Sequence, residues 1–298
     1  MKAAHGFLVL SALSLCLPTY AQVDSTEVKK AEDRFQRFKA IRGVNDKDYP
    51  FQLTSLAGTY QKNSQRVKSE ALYQQALRLA KKQGIRQTID LMNYRAGQLY
   101  SKRRVYSFPN GTDRKTEERF INNDRLEHEK DIEKCIAVLT EAKKLSQKLP
   151  ITDRLRFTAQ SNLISYTRWH INPGLAHKEE QELLAFARTK LKETKSPEEV
   201  YVLAGQIGAL GVQNASGDNR NVPYAIKLNE EYLSQIDRLP KTDPRRIRAH
   251  RQAIKWYRRI GREDFAQHQT KQLAQLLGTN DLNKLFPPKR RCLGCGMG

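Results

Sequence analysis

Apolar residues recur at intervals of three and four through most of this chain, and no stretch sustains the alternation of a half-buried strand. The pattern predicts an all-α protein built from successive helix pairs. Residues 22–48 carry Val28, Ala31, Phe35, Phe38 and Ile41 on one helical face, which predicts a leading helix. From about Pro50 to Gln83, Leu53, Leu56, Ala57 and Tyr60 mark one helix, and Ser69, Tyr73 and Ala76 mark the next, closed by Gly84. A further pair begins near Thr88 with Leu91, Ala96, Leu99 and Tyr100, and resumes at Asp131 with Cys135, Leu139 and Ala142. Asp153 is placed to cap a helix bearing Leu155, Ala159, Leu163 and Tyr166, followed by one with Leu183, Leu184 and Ala187. Ser196-Pro197 and Asp243-Pro244 open the remaining pairs, a cap followed by proline in the first turn. The helix after Ser196, VYVLAGQIGALG, is rich in glycine and alanine and predicts close backbone approach.

Ile247 to Gly278 gives the clearest pair. Ala249, Ala253, Trp256, Tyr257 and Ile260 form one face, Gly261 breaks the run, and Glu263 and Asp264 start a second helix with Ala266, Leu273, Leu276 and Leu277. Ala266 follows Tyr257 by the nine residues that separate Ser69 from Tyr60. Aromatic residue, turn and small residue at these spacings resemble the tetratricopeptide repeat. The resemblance covers roughly 50–278 and implies a right-handed α-solenoid of about five helix pairs, residues 49–278. It also implies a concave surface lined by the first helix of each pair, where some members hold a partner's carboxylate with basic side chains. Hydrophobic residues make up 39% of the chain, low for one deep core but suited to a stack in which each pair buries its face against its neighbours.

Two stretches fall outside the pairs. Residues 102–130 have no clean period and contain the turn Pro109-Asn110-Gly111, which predicts an inserted loop or hairpin. Residues 1–21 combine Lys2, the apolar run Phe7 to Leu17 and a small-residue ending at Ala21, the pattern of a secretory signal peptide. The run is too short to span a bilayer, which needs roughly 20 residues. The expected location is therefore periplasmic or secreted.

Lys and Arg outnumber Asp and Glu by 53 to 32, for a net charge of +21. Residues 241–298 hold 14 of the basic and four of the acidic side chains. Within them, Arg248, Arg251, Lys255, Arg258 and Arg259 lie within roughly 100° of helical arc. These five are the candidate partner-binding residues, and their charge points to an acidic or envelope-associated protein. Anionic glycan or a membrane surface would satisfy the same charge. Nucleic acid fits less well, given the expected export and the lack of a recognised binding motif. A solvated basic face is the plainer alternative. The pairs Glu117-Glu118, Glu179-Glu180 and Glu230-Glu231 lie on polar helical stretches and are expected at the surface.

The tail, residues 279–298, is basic and carries Cys292 and Cys295 as a C-x-x-C pair, candidates for a disulfide or a crosslink. Thiol-disulfide exchange through this pair is the alternative function. No βαβ pattern precedes it, and no second ligand pair for zinc stands nearby. Cys135 is expected to be a buried small residue. The six histidines are scattered, and no phosphate loop, G-x-S-x-G or H-E-x-x-H is present. The sequence thus points to an exported protein-binding or assembly scaffold, not an enzyme, with no cofactor or metal.

Overall fold

A computed structural model describes residues 25–101, 113–170, 172–216, 221–281 and 285–286. The signal-peptide segment 1–21 and the Cys292/Cys295 pair lie outside the described residues, as does the first part of the insertion, 102–112. Among the described residues there are eleven helices and no strand. They belong to two compact units, the first holding α1 to α4 and the second α5 to α11.

In the first unit, α1 spans Ser25–Arg42, α2 Tyr49–Lys62, α3 Arg66–Gln83 and α4 Ile85–Tyr100. Leu53, Leu56, Ala57 and Tyr60 of α2 are buried, as are Ser69, Tyr73, Ala76 and Leu77 of α3. The two helices cross where small side chains meet: Ser69 Oγ donates to the Ala57 carbonyl at 2.7 Å. Gly84 ends α3 and begins α4 in one residue at φ +125°, a conformation that costs glycine little and other residues much. Gln98 Nε2 on α4 then donates to the Thr54 carbonyl at 3.0 Å, so α4 also packs on α2. Val28 and Ala31 of α1 pack with Leu56 and Tyr60 of α2, and Phe35 lies 5.5 Å from Tyr49 between ring centres. The Tyr60 hydroxyl donates to Glu32, and burial, then that carboxylate, push its pKa up to about 12. The predicted face of α1 is cut short, since Phe38 is only half-buried and Ile41 is 80% exposed. Chain beyond Arg42 turns through Gly43 towards α2 before Ile41 meets any cover.

In the second unit, α5 spans Arg114–Ser146, α6 Leu155–His170, α7 Pro173–Glu193 and α8 Pro197–Asn214. Then follow α9 Val222–Ile236, α10 Pro244–Arg259 and α11 Glu263–Leu277. The starts are chemically specified. Side chains of Asp113, Asn172, Ser196, Asn221 and Asp243 each accept from a backbone N–H in the first turn, and proline sits in the first turn of α7, α8, α9 and α10. Each helix packs on the next in chain order, with the α8/α9 contact the most extensive. One buried apolar cluster runs from Phe157 to Leu285 through α6 to α11, and includes Leu183, Leu203, Ile207, Leu228, Tyr257 and Ala266.

Two expectations need correction. The region 113–130 is not a loop or hairpin but the first half of α5, continuous with the helix expected from Asp131. It lacks an apolar period because none of its described side chains is buried. Its support is local: the Asp113 cap accepts from Thr116 N at 3.0 Å, and Arg114–Glu118 is an i,i+4 pair at 2.9 Å. Consequently α4 and α5, expected as one pair, belong to different units.

The second correction is at Glu179 and Glu180, expected on the surface and found 7% and 4% exposed. Lys143 of α5 donates to Glu179, and Gln160 Nε2 of α6 does so at 3.0 Å. Arg168 of α6 donates to Glu180, which also accepts from Asn214 Nδ2 of α8 at 3.1 Å. Buried carboxylates persist only where cations and hydrogen bonds surround them, and here α5, α6 and α8 contribute these partners. Glu118 and Glu230 do reach solvent, while Glu117 is half-buried and so is Glu231, in a two-pronged pair with Arg188 of α7.

Candidate functional site

A groove lies in the second unit, and every residue that lines it comes from that unit. Its volume is about 460 Å³, and its walls come from the start of α6, one face of α8, two residues of α9 and three of α10. Phe157, Tyr201, Val202, Tyr232 and Trp256 make the wall largely aromatic and apolar. Val212 at one end is 38% exposed. The charged lining residues are Asp153 and Arg154. The Asp153 carboxylate caps α6 by accepting from Leu155 N at 3.0 Å.

The glycines of α8 shape this groove in two ways. A Cβ on Gly208 would lie 2.9 Å from Cγ of Tyr232, and one on Gly211 would lie 3.0 Å from the Ala225 carbonyl oxygen. These two positions let α9 approach α8 closely, as the Gly/Ala-rich sequence predicts. At Gly205 a Cβ would meet nothing within 4 Å, yet the residue lines the groove. Here glycine leaves open space instead of admitting a neighbouring helix.

The aromatic wall is held from behind. The Arg245 guanidinium lies over the Tyr201 ring at 5.5 Å, fixed by Asp243 at 2.7 Å. Burial, then Tyr201 alongside, raises the pKa of the Tyr232 phenol well above its ordinary value. Trp256 is buried at 5.0 Å from Tyr257, which stacks on Phe265 at 5.2 Å. The Trp256 indole N–H has no hydrogen-bond partner among the described residues.

None of the five candidate cations lines the groove. Arg251 is turned to the segment after α11, its Nε donating to the Leu285 carbonyl at 2.6 Å. Arg258 lies over the Phe286 ring at 5.8 Å and 3.6 Å from Glu263. Arg248, Lys255 and Arg259 are exposed and make no ion pair among the described residues. They flank Gln252, a lining residue, at i−4, i+3 and i+7, and thus share its side of α10. The stripe therefore divides into two arginines engaged by nearby chain and three cations running along one rim of the groove.

A second polar cluster joins the end of α9 to the last hairpin. Buried His250 places Nδ1 2.9 Å from Gln269 Oε1 and Nε2 3.0 Å from Asp237 Oδ1. Arg246 reaches the same carboxylate oxygen at 2.8 Å. Burial alone would raise the Asp237 pKa, but the His250 hydrogen bond and charge, with Arg246, hold it below the ordinary carboxylate range. Cys135 is buried, which pushes its thiol pKa up to about 12 and makes it a poor nucleophile. No group of three or more His, Cys, Asp or Glu side chains is arranged to hold a metal among the described residues. Among those residues, too, no helix is long and apolar enough to cross a membrane.

No family model and no curated protein sequence matches the chain. Among solved structures it is similar to the crystal structure of BtubC (BKLC) from P. vanneervenii, at 17% sequence identity. The match covers 92% of this chain and 98% of that one, with a TM-score of 0.40. A likeness that loose carries no inference about fold family or function.

Proposed function

We propose that this protein is an exported binding or assembly scaffold, a tetratricopeptide-like α-solenoid whose second unit takes up a segment of a partner protein. The observation that carries the reading is the open groove across α6, α8 and α10, floored at Gly205 and walled by Tyr201, Tyr232 and Trp256. These are the first helices of three successive hairpins, the elements that line the concave surface of such repeats. The repeat reading is supported by the landmarks Tyr60, Ser69, Tyr73 and Ala76, and by Tyr257 and Ala266, all buried at helix crossings. The groove's volume lies in the range of pockets that enclose a few side chains, and its wall is largely apolar with few charges, as binding pockets are.

Selection of a displayed random-peptide library on the purified chain tests this. Peptides that enrich should bind the wild type and lose most of their affinity for Gly205→Leu, whose Cβ meets no atom within 4 Å and whose longer side chain occupies groove space. Enriched peptides that bind both proteins equally, or no enrichment at all, would reject the groove as the binding site.

A further inference from the structure

The groove's rim says what kind of segment it suits. Four cations of the last hairpin already have an acid: Arg245 has Asp243, Arg246 has Asp237, Arg258 has Glu263 and Arg262 has Asp264. Arg251 is held by the Leu285 carbonyl. Arg248, Lys255 and Arg259 are exposed, with no acid beside them among the described residues. They stand in line with Gln252, the α10 residue that enters the groove lining. The row covers about 16 Å of helix at 1.5 Å per residue, the length of roughly five residues of extended peptide. Three like charges in one row repel each other, and an anion laid along them removes that repulsion.

We propose that the occupant of the groove is an acidic protein segment that also carries a bulky apolar side chain. The apolar side chain sits over Gly205 against Tyr201 and Tyr232, and carboxylates on the same segment face Arg248, Lys255 and Arg259. The proposal rests on the peptide-binding reading above and adds the partner's chemistry. Single-stranded nucleic acid also combines charge with flat apolar surface, but it needs open ring faces for stacking. Phe157 and Trp256 are only 4% and 6% exposed, so these two rings offer little face.

The test uses the full chain and labelled synthetic peptides of about ten residues, followed by fluorescence anisotropy. One alternates Glu with Leu and Phe. Its counterparts replace Glu by Lys, Glu by Gln, or the apolar residues by Ser, and oligouridine serves as a nucleic-acid probe. The acidic apolar peptide should bind tightest. Reversal of the row (Arg248→Glu, Lys255→Glu, Arg259→Glu) should weaken it by roughly tenfold or more, the sum of three rim charges. The same variant should gain affinity for the Lys peptide, a gain that an unfolded variant would not show. Equal binding of the Gln and Glu peptides, both lost in Gly205→Leu, would overturn the proposal and leave the groove reading standing. Binding of Glu peptides that survives Gly205→Leu would overturn both, because the chain would then act as a polycation. Tighter, groove-dependent binding of oligouridine would overturn the acidic-segment proposal in favour of nucleic acid.

Discussion

A methyl group added at Gly208 would be driven into the Tyr232 ring, whereas one added at Gly205, three residues earlier, would enter open space. Two glycines on one helix should therefore respond in opposite directions to the same substitution. Gly205→Ala should raise stability by about 0.5–1 kcal/mol, because alanine loses less chain entropy in a helix interior. Gly208→Ala gains the same intrinsic preference but must displace Tyr232, and should cost about 1–3 kcal/mol net. Urea unfolding of both variants checks the pair, and a common sign would contradict the packing described for α8. The sequence predicts close approach from this glycine-rich helix, and Gly208 and Gly211 fulfil it. Composition could not separate them from Gly205, whose lack of a side chain faces a groove assembled from other helices. Glu180 was hidden for a related reason: its partners Arg168 and Asn214 come from helices before and after its own. Local polarity reports nothing about such partners.

At the level of elements, the helices easiest to foresee are those with both a cap and an apolar stripe. Ser196-Pro197 and Asp243-Pro244 mark the starts of α8 and α10 because the cap and the proline act within a few residues of chain. The first half of α5 was missed because periodicity records burial, and a solvated helix held by a cap and ion pairs has none to show. Contacts between elements bring their own pH dependence. Asp237 ties the end of α9 to α10 through Arg246 and His250, and its carboxyl pKa is lowered in the folded protein. A lowered acid contributes stability above its unfolded pKa, and loses it as pH falls through the folded value. The stability advantage of the wild type over Asp237→Asn should thus be full at neutral pH and shrink below about pH 4. Urea midpoints of the two proteins across that range measure it. A gap that stays constant into acid would mean that Asp237 is not charged more readily in the folded state.

At the scale of the whole chain, the helical class was legible because a three-to-four residue period survives in nearly every buried segment. The grouping into pairs was less so, since α4 and α5 follow one another in sequence yet belong to separate units. Within the second unit a single apolar cluster runs through six helices, which leaves open two kinds of cooperativity. A globular core would respond as one body, while a stack joined by nearest neighbours would respond locally. The contacts favour locality: α10 packs extensively on α11 but far less on α9, and α8/α9 is the broadest contact of all. Ala266 is fully buried at the α10/α11 crossing, so Ala266→Leu should overpack that hairpin by about 1–3 kcal/mol. Native-state hydrogen exchange on the variant should show the loss concentrated in α10 and α11, weaker in α8 and α9, and least in α6 and α7. An equal drop in protection across α6 to α11 would show one cooperative core and remove the physical basis for treating these hairpins as repeats. No change anywhere would mean that Ala266 has room beside it and that the helix crossing is wider than described.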